Sequence, residues 1–147
     1  MSHQLATSNI ARMRGQYADP VMADFVARLD PVNSIADASP GFVWRYTDKN
    51  GNEAQVFEDD MILFNMSVWE SIDALEQYAY HTDHREVLQK RAQWFERPTR
   101  PSLVLWWIEA GHIPSVEEAK ERFESLWRNG PTELAFTFRQ RFEPPAA

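Results

Sequence analysis

Apolar and polar positions alternate most cleanly in Met61–Trp69. Ile62, Phe64, Met66 and Val68 fall on one face, and Met61, Leu63, Asn65, Ser67 and Trp69 on the other, which is the two-residue period of a β-strand. A softer alternation over His3–Met13 sets Leu5, Thr7, Asn9 and Ala11 against Ala6, Ser8 and Ile10. Phe42–Thr47 (FVWRYT) is rich in aromatic and β-branched residues and reads as a strand. The following Asp48-Lys49-Asn50-Gly51 is a hairpin turn. Leu103–Glu109 (LVLWWIE) is a short apolar run bounded by prolines and Gly111, so a central strand. Ala135–Phe142 alternates again, Phe136, Phe138 and Phe142 against Thr137, Arg139 and Arg141. It could be an added edge strand or an arm on a neighbouring subunit.

Helical spacing fills the intervals. Asp19-Pro20 is a start signal, an N-cap followed by proline at the first helical position. Met22, Phe25, Val26 and Leu29 then recur on one side. Pro31 removes a helical hydrogen bond, so a break or kink is expected there. The apolar face resumes to about Ala38, and Ser39-Pro40-Gly41 is a turn. Ser71 caps a helix striped by Ile72, Leu75 and Ala79. Asp83-His84-Arg85-Glu86 repeats a capping signal, which predicts a break near His81–Asp83 and a second helical piece ended by Pro98 and Pro101. Ser115-Val116-Glu117-Glu118 is a capping box. It opens an amphipathic helix with Ala119, Phe123, Leu126 and Trp127, stopped at Asn129-Gly130-Pro131.

The order is therefore β-α-β-β-α-β, then a helix and a possible strand. This predicts an α+β, ferredoxin-like split βαβ domain over residues 1–147, with 131–147 as an extra strand or arm. Its single antiparallel sheet carries helices on one face only, and the other face needs a cover. Thr7, Asn9, Asn65, Ser67 and Trp69 are assigned to that second face. Self-association through it would enclose a cavity, so a homodimer is expected.

Composition narrows the function classes. The chain has 147 residues, a net charge of −7, no cysteine and six tryptophans. Its lysines and arginines are scattered, so nucleic acid and anionic membrane are poor partners. Without cysteine there are no disulfides or thiolate ligands. No apolar run approaches the roughly 20 residues that span a bilayer, and the N-terminal MSHQLATSNIARMRG lacks the apolar core of a signal peptide. The expected setting is the cytoplasm. Phosphate-binding glycine loops and the HExxH and GxSxG motifs are absent.

Candidate chemistry gathers on the polar strand face. Asn9, Asn65 and Ser67 are buried-type polar positions that need partners or a ligand. In a cofactor-free oxygenase such groups would hold a deprotonated substrate near O₂. Trp69, Trp44 and Trp107 would supply the walls of an organic-ligand pocket, Arg45 a charge for an anionic group, and Tyr78 a hydroxyl. Trp106 and Trp107 point to opposite faces. His81 and His84 lie three apart and could share a helical face. A metal on them would need a carboxylate such as Asp83 or Glu86, and no metal site is assigned. His84 could instead act as a base near neutral pH or ligate haem iron. The ordinary alternatives are core packing for the tryptophans and a helix cap for the histidines.

The runs LATSNIARM, DPVMADFVARLDPVNSIADASPGFVWR, LFNMSVWESIDALEQYAY, LVLWWIEAGHIPSVEEAKERF and AFTFRQRF resemble the domain-of-unknown-function 3291 family. That family is grouped with the dimeric α+β barrel superfamily, which includes antibiotic-biosynthesis-type monooxygenases and haem-degrading monooxygenases. The resemblance implies a dimer of ferredoxin-like units with a pocket between sheet and helices. The resemblance assigns no reaction; taken with the polar residues interleaved with tryptophan on the sheet face, it suggests a monooxygenase-like enzyme acting on a small aromatic or polyketide-like molecule, with Asn9, His84 and Tyr78 in catalysis and no cofactor. The alternative it leaves is a non-catalytic small-molecule or haem-binding dimer. Haem-degrading relatives carry an asparagine on the first strand and a tryptophan and histidine on a later helix. Asn9 matches the first; the tryptophan position falls near Tyr78 and the histidine position near Leu88, with His84 one turn earlier.

Overall fold

A computed structural model describes residues 3–15, 19–46, 62–79 and 90–145 of the chain; of 29–33 it describes the backbone alone. Four strands, β1 (His3–Arg12), β2 (Phe42–Arg45), β3 (Ile62–Trp69) and β4 (Leu103–Glu109), form one antiparallel sheet in the order β2-β3-β1-β4. Among the described residues it is accompanied by α1 (Ala23–Ala38), α2 (Ile72–Ala79) and α3 (Val116–Asn129). The α+β, ferredoxin-like expectation is met.

Local chemistry explains most boundaries. Ser71 Oγ accepts from the Ala74 amide at 3.1 Å and opens α2. Ser115 Oγ accepts from the Glu118 amide at 3.1 Å and opens α3, which ends at Gly130 with φ 73°. Asp19 sits at an N-cap without capping through its side chain, and Pro20–Met22 forms a 3₁₀ turn before α1. The break expected at Pro31 does not occur, and α1 runs unbroken from Ala23 to Ala38. A proline forfeits a single backbone donor, and the helix continues across that loss. Gly41 is positive in φ (86°), and a Cβ there would stand 2.4 Å from Ala74 Cβ on α2. It lets the chain turn into β2 while passing against that helix. The Asp48–Gly51 turn and the second capping signal at Asp83–Glu86 lie outside the described residues. Residues 90–94 are helical, and Phe95 bridges to Met13.

Both sheet faces are covered within one chain. Phe64, Met66, Val68, Ala6, Val104 and Trp106 are buried with Ala119, Phe123 and Leu126 of α3. On the opposite face Leu5, Trp69 and Leu105 are buried with Ala36 of α1, Leu75 of α2 and Phe136. A third cluster at the far end of that face joins Met13, Leu63, Met22, Phe25 and Trp94. This corrects the expected layering. The wholly apolar face meets a helix as expected, α3, but the face carrying Trp69 and Ser67, expected to be covered by a second copy, meets α1 and α2. The alternation pattern identified two faces but held no information on which helix would lie against which.

Of the terminal alternating segment, only Ala135 and Phe136 behave as strand. Phe136 exchanges two backbone hydrogen bonds with Leu105, 2.8 and 2.9 Å, on the outer edge of β4. The chain then crosses onto the α1/α2 face. There Phe138 and Phe142 join the apolar cluster, Trp107 Nε1 donates to the Phe142 carbonyl at 2.8 Å, and Arg141 pairs with Glu76 of α2.

Candidate functional site

The middle of the α1/α2 face is polar. Cross-strand register places Thr7 opposite Ser67 and Asn9 opposite Asn65 on β1 and β3, the two central strands. Thr7 is buried and donates to the Val104 carbonyl at 3.2 Å. Ser67 is half-buried, and its Oγ accepts from Trp69 Nε1 at 2.9 Å. Asn9 and Asn65 are exposed. Residues at the centre of a sheet face lying under helices are ordinarily covered, and these two asparagines are not. Directly paired residues hold their Cβ atoms about 5 Å apart, so the two carboxamides can address one ligand together. No described group hydrogen-bonds either carboxamide.

Aromatic clusters close both ends. At one end Trp69 is buried, stacks on Tyr78 (centroids 5.2 Å, planes 23° apart) and meets Phe42 edge-on at 5.3 Å. At the other end Phe25 packs against Trp94 at 5.4 Å beside Leu63. Ser67 and Asn65 are two residues apart on one strand, so the polar stretch of β3 is about 7 Å long.

Charge lies along one side. Arg45 stands opposite Ser67 on β2 and pairs with Asp37 of α1 at 2.6 Å. The Tyr78 hydroxyl feels both groups. Burial dominates and pushes its pKa up to about 12; the Arg45 charge pulls it down and Asp37 adds to the rise. Tyr78 therefore keeps its proton at neutral pH and can donate a hydrogen bond.

The structure brings together Asn9, Asn65, Ser67, Trp69, Tyr78 and Arg45 from the sequence-based set. It separates two others. Trp44 packs into the α3-side cluster. A bulge between Phe42 and Trp44 puts Phe42 and Arg45 on the site face and Trp44 on the opposite one. Trp107 is on the correct face, but it lies opposite Leu5, beyond the polar floor, and its indole N–H is engaged by Phe142. His84, His81, Asp83 and Glu86 lie outside the described residues. Sequence reasoning missed Asp37 and the Phe25–Trp94 wall. Asp37 is one exposed acid among many, and no sequence signal sets it apart. The apolar spacing of Met22 and Phe25 marks a core face, without showing that it ends a cleft.

The candidate haem ligand His84 lies outside the described residues. The described histidines are His3 and His112. His3 is six residues from Asn9 along β1, about 20 Å away. His112 lies in the loop after β4 and contacts Glu118 at 2.8 Å. Neither can ligate iron held over the asparagines. Among the described residues no group of three His, Cys, Asp or Glu could hold a metal ion.

A second depression of about 460 Å³ lies between β4 and the start of α3, with Glu109, His112, Glu117 and Glu121 on its walls. It is shallow and acidic. Its best-buried carboxylate, Glu118, is already used by Trp106 Nε1 and His112 Nε2, each at 2.8 Å.

Comparison with known proteins defines the class. The chain belongs to the DUF3291 family, a domain of unknown function, whose model matches residues 4–147. Solved structures share the ferredoxin-like fold at low identity. A Nitrosomonas europaea protein provisionally named as an antibiotic biosynthesis monooxygenase is 10% identical with TM-score 0.52, over 78% of this chain and 97% of its own. Rv0793 from Mycobacterium tuberculosis is 14% identical with TM-score 0.50, over 76% and 99%. SnoaB from Streptomyces nogalater, a cofactor-independent oxygenase, is 13% identical with TM-score 0.48, over 76% and 97%. No curated protein matches the chain. No described helix is long and apolar enough to cross a membrane.

Proposed function

We propose that the cleft over Asn9 and Asn65 binds a small aromatic or polyketide-like molecule, and that the chain is a monooxygenase-type enzyme needing no bound cofactor. The observation that supports this is the pair of exposed asparagines at the centre of an otherwise packed sheet face. A planar hydroxyarene would lie between the Trp69–Tyr78 stack and the Phe25 wall. The two carboxamides and the Tyr78 hydroxyl would donate to the oxygen that becomes anionic when the substrate loses a proton, which stabilises the electron-rich form that reacts with O₂. Carbon–oxygen bond formation gives a hydroperoxide. Loss of water from it leaves a carbonyl, so a CH₂ group and O₂ become C=O and H₂O. The base we propose is His84, which follows Tyr78 by six residues and carries the side-chain type suited to proton transfer near neutral pH.

A second reading, binding without turnover, draws on the Tyr78 shift. With a pKa of about 12 this hydroxyl serves as a donor and is no base at neutral pH. Oxygen uptake with a panel of phenols and hydroxyanthrones separates the two readings. The enzyme reading expects uptake by wild type, lowered about 100-fold in kcat/KM by Asn9→Ala or Asn65→Ala, the scale for removing an anion-stabilising donor. Uptake that survives both substitutions removes the asparagines from the site. Ligand binding without uptake favours the second reading. A Soret band in the purified protein would replace the cofactor-free route with haem.

A further inference from the structure

The ion pair beside the Trp69–Tyr78 end of the cleft is unequally buried. Arg45 lies opposite Ser67 on β2, so its side chain rises on the site face, and it pairs with Asp37 of α1 at 2.6 Å. The arginine side chain is 22% exposed and the aspartate 51%. Among the described Arg and Lys side chains paired with carboxylates, Arg45 is the least exposed cation; Arg12, Arg28, Lys90 and Arg141 range from 27% to 49%. Asp37 sits in the last turn of α1, which holds no basic residue. A carboxylate there meets the negative end of the helix, and the Arg45 charge offsets that repulsion. The guanidinium also lies over the Phe42 ring, with Cζ 5.7 Å from the centroid, and Phe42 in turn meets Trp69. The Arg45 head group is thus held from two sides, by a ring and by an acid. The Tyr78 hydroxyl feels both charges.

The two halves of the pair respond differently to being parted. Asp37 turned towards water loses little, because half of it is already solvated. Arg45 is more deeply covered and keeps its need for a counter-charge. Exchange is therefore most favourable when a second anion takes the vacated place. We propose that Asp37 is an exchangeable occupant of an anion subsite at Arg45, and that the ligand of the cleft carries a carboxylate that displaces it. This rests on the reading that an aromatic molecule lies over Asn9 and Asn65, and narrows that molecule to an aromatic acid. Arg45 stands at Ser67, about 7 Å along β3 from Asn65, so the acid group and the oxygen held by the asparagines sit apart on the ring system. The planar fork of guanidinium donors matches a carboxylate in a side-by-side pair of hydrogen bonds. No covalent bond changes; one ion pair is exchanged for another.

The test measures binding of naphthol and naphthoate to the full chain by calorimetry, with the Arg45 Nε–H and the asparagine carboxamide signals followed by NMR. Naphthoate is expected to bind about tenfold more tightly than naphthol and to shift the Arg45 signal, and Arg45→Gln should abolish the preference. Asp37→Asn removes the competing acid and acts in the opposite direction: naphthoate tightens about tenfold while naphthol is unchanged. Asp24→Asn controls for the loss of one negative charge, since Asp24 is 50% exposed and pairs with Arg28 on the same helix; it should leave both affinities as they are. Naphthoate that binds no better than naphthol overturns the proposal. So does an Asp37→Asn variant that leaves naphthoate binding unchanged or weaker, because the pair is then a structural clasp, and this holds even where Arg45→Gln fails to fold. Naphthoate that shifts Arg45 with the asparagines unmoved sustains the anion subsite and removes the ligand from Asn9 and Asn65. Naphthol that shifts the asparagines, with no gain for naphthoate, does the reverse. No binding of either probe contradicts both.

Discussion

Single residues decide where the cleft lies and what it can do. Tyr78 is buried against Trp69, and its pKa rises from 10.0 to about 12. A raised folded-state pKa gives stability that is intact below pH 10 and is lost as pH climbs towards 12, because the unfolded chain ionises first. Tyr78→Phe should therefore flatten the fall in unfolding free energy between pH 10 and 12 by up to roughly 3 kcal/mol, read by urea melts across that window. An unchanged slope would mean that the hydroxyl is solvated. Gly41 gives a second prediction. Gly41→Ala meets both a positive φ and the Ala74 side chain, and should cost at least about 1–3 kcal/mol, measured by thermal melting. The strand period made Asn9, Asn65, Ser67 and Trp69 legible as one face before any coordinates. Trp44 was not legible, because one extra residue at a bulge reverses the alternation.

At the scale of elements, caps and turns were read well and mutual packing was not. Ser71, Ser115 and Gly130 act where the sequence placed them, because capping is settled within a few residues. The stripe of Ala119, Phe123 and Leu126 announced an amphipathic helix, yet no local signal says which face of which sheet it will cover. Pro31 was read as a break, but the helix around it outweighs one missing hydrogen bond. The packing makes distinct predictions for α3. Phe123→Ala opens a cavity under Phe64 and Trp106 and should cost about 3–5 kcal/mol. Ser115→Ala removes a cap and should cost about 1 kcal/mol. Chemical denaturation of the two variants should rank them in that order; equal losses would mean that α3 is only loosely seated.

At the scale of the whole molecule, the order of elements was enough for the fold class, since β-α-β-β-α-β admits few arrangements. That the face of Thr7, Ser67 and Trp69 meets α1 and α2 of the same chain was not legible, because a helix and the sheet of a second copy place the same demand on a strand face. α3 covers the apolar face, and Asn9 and Asn65 stay exposed on the α1/α2 face, with the Trp69–Tyr78 and Phe25–Trp94 ring pairs on the same face. The most direct test of that site is an amide-resolved titration. With the Asn side-chain NH₂ signals assigned, naphthols, hydroxyanthrones and simple phenols are added in turn. The first ligands to bind are expected to shift the Asn9 and Asn65 carboxamides and the Trp69 indole together, at a common affinity. Shifts confined to Glu109, His112 and Glu117 in the depression beside α3, with the asparagines unmoved, would contradict it.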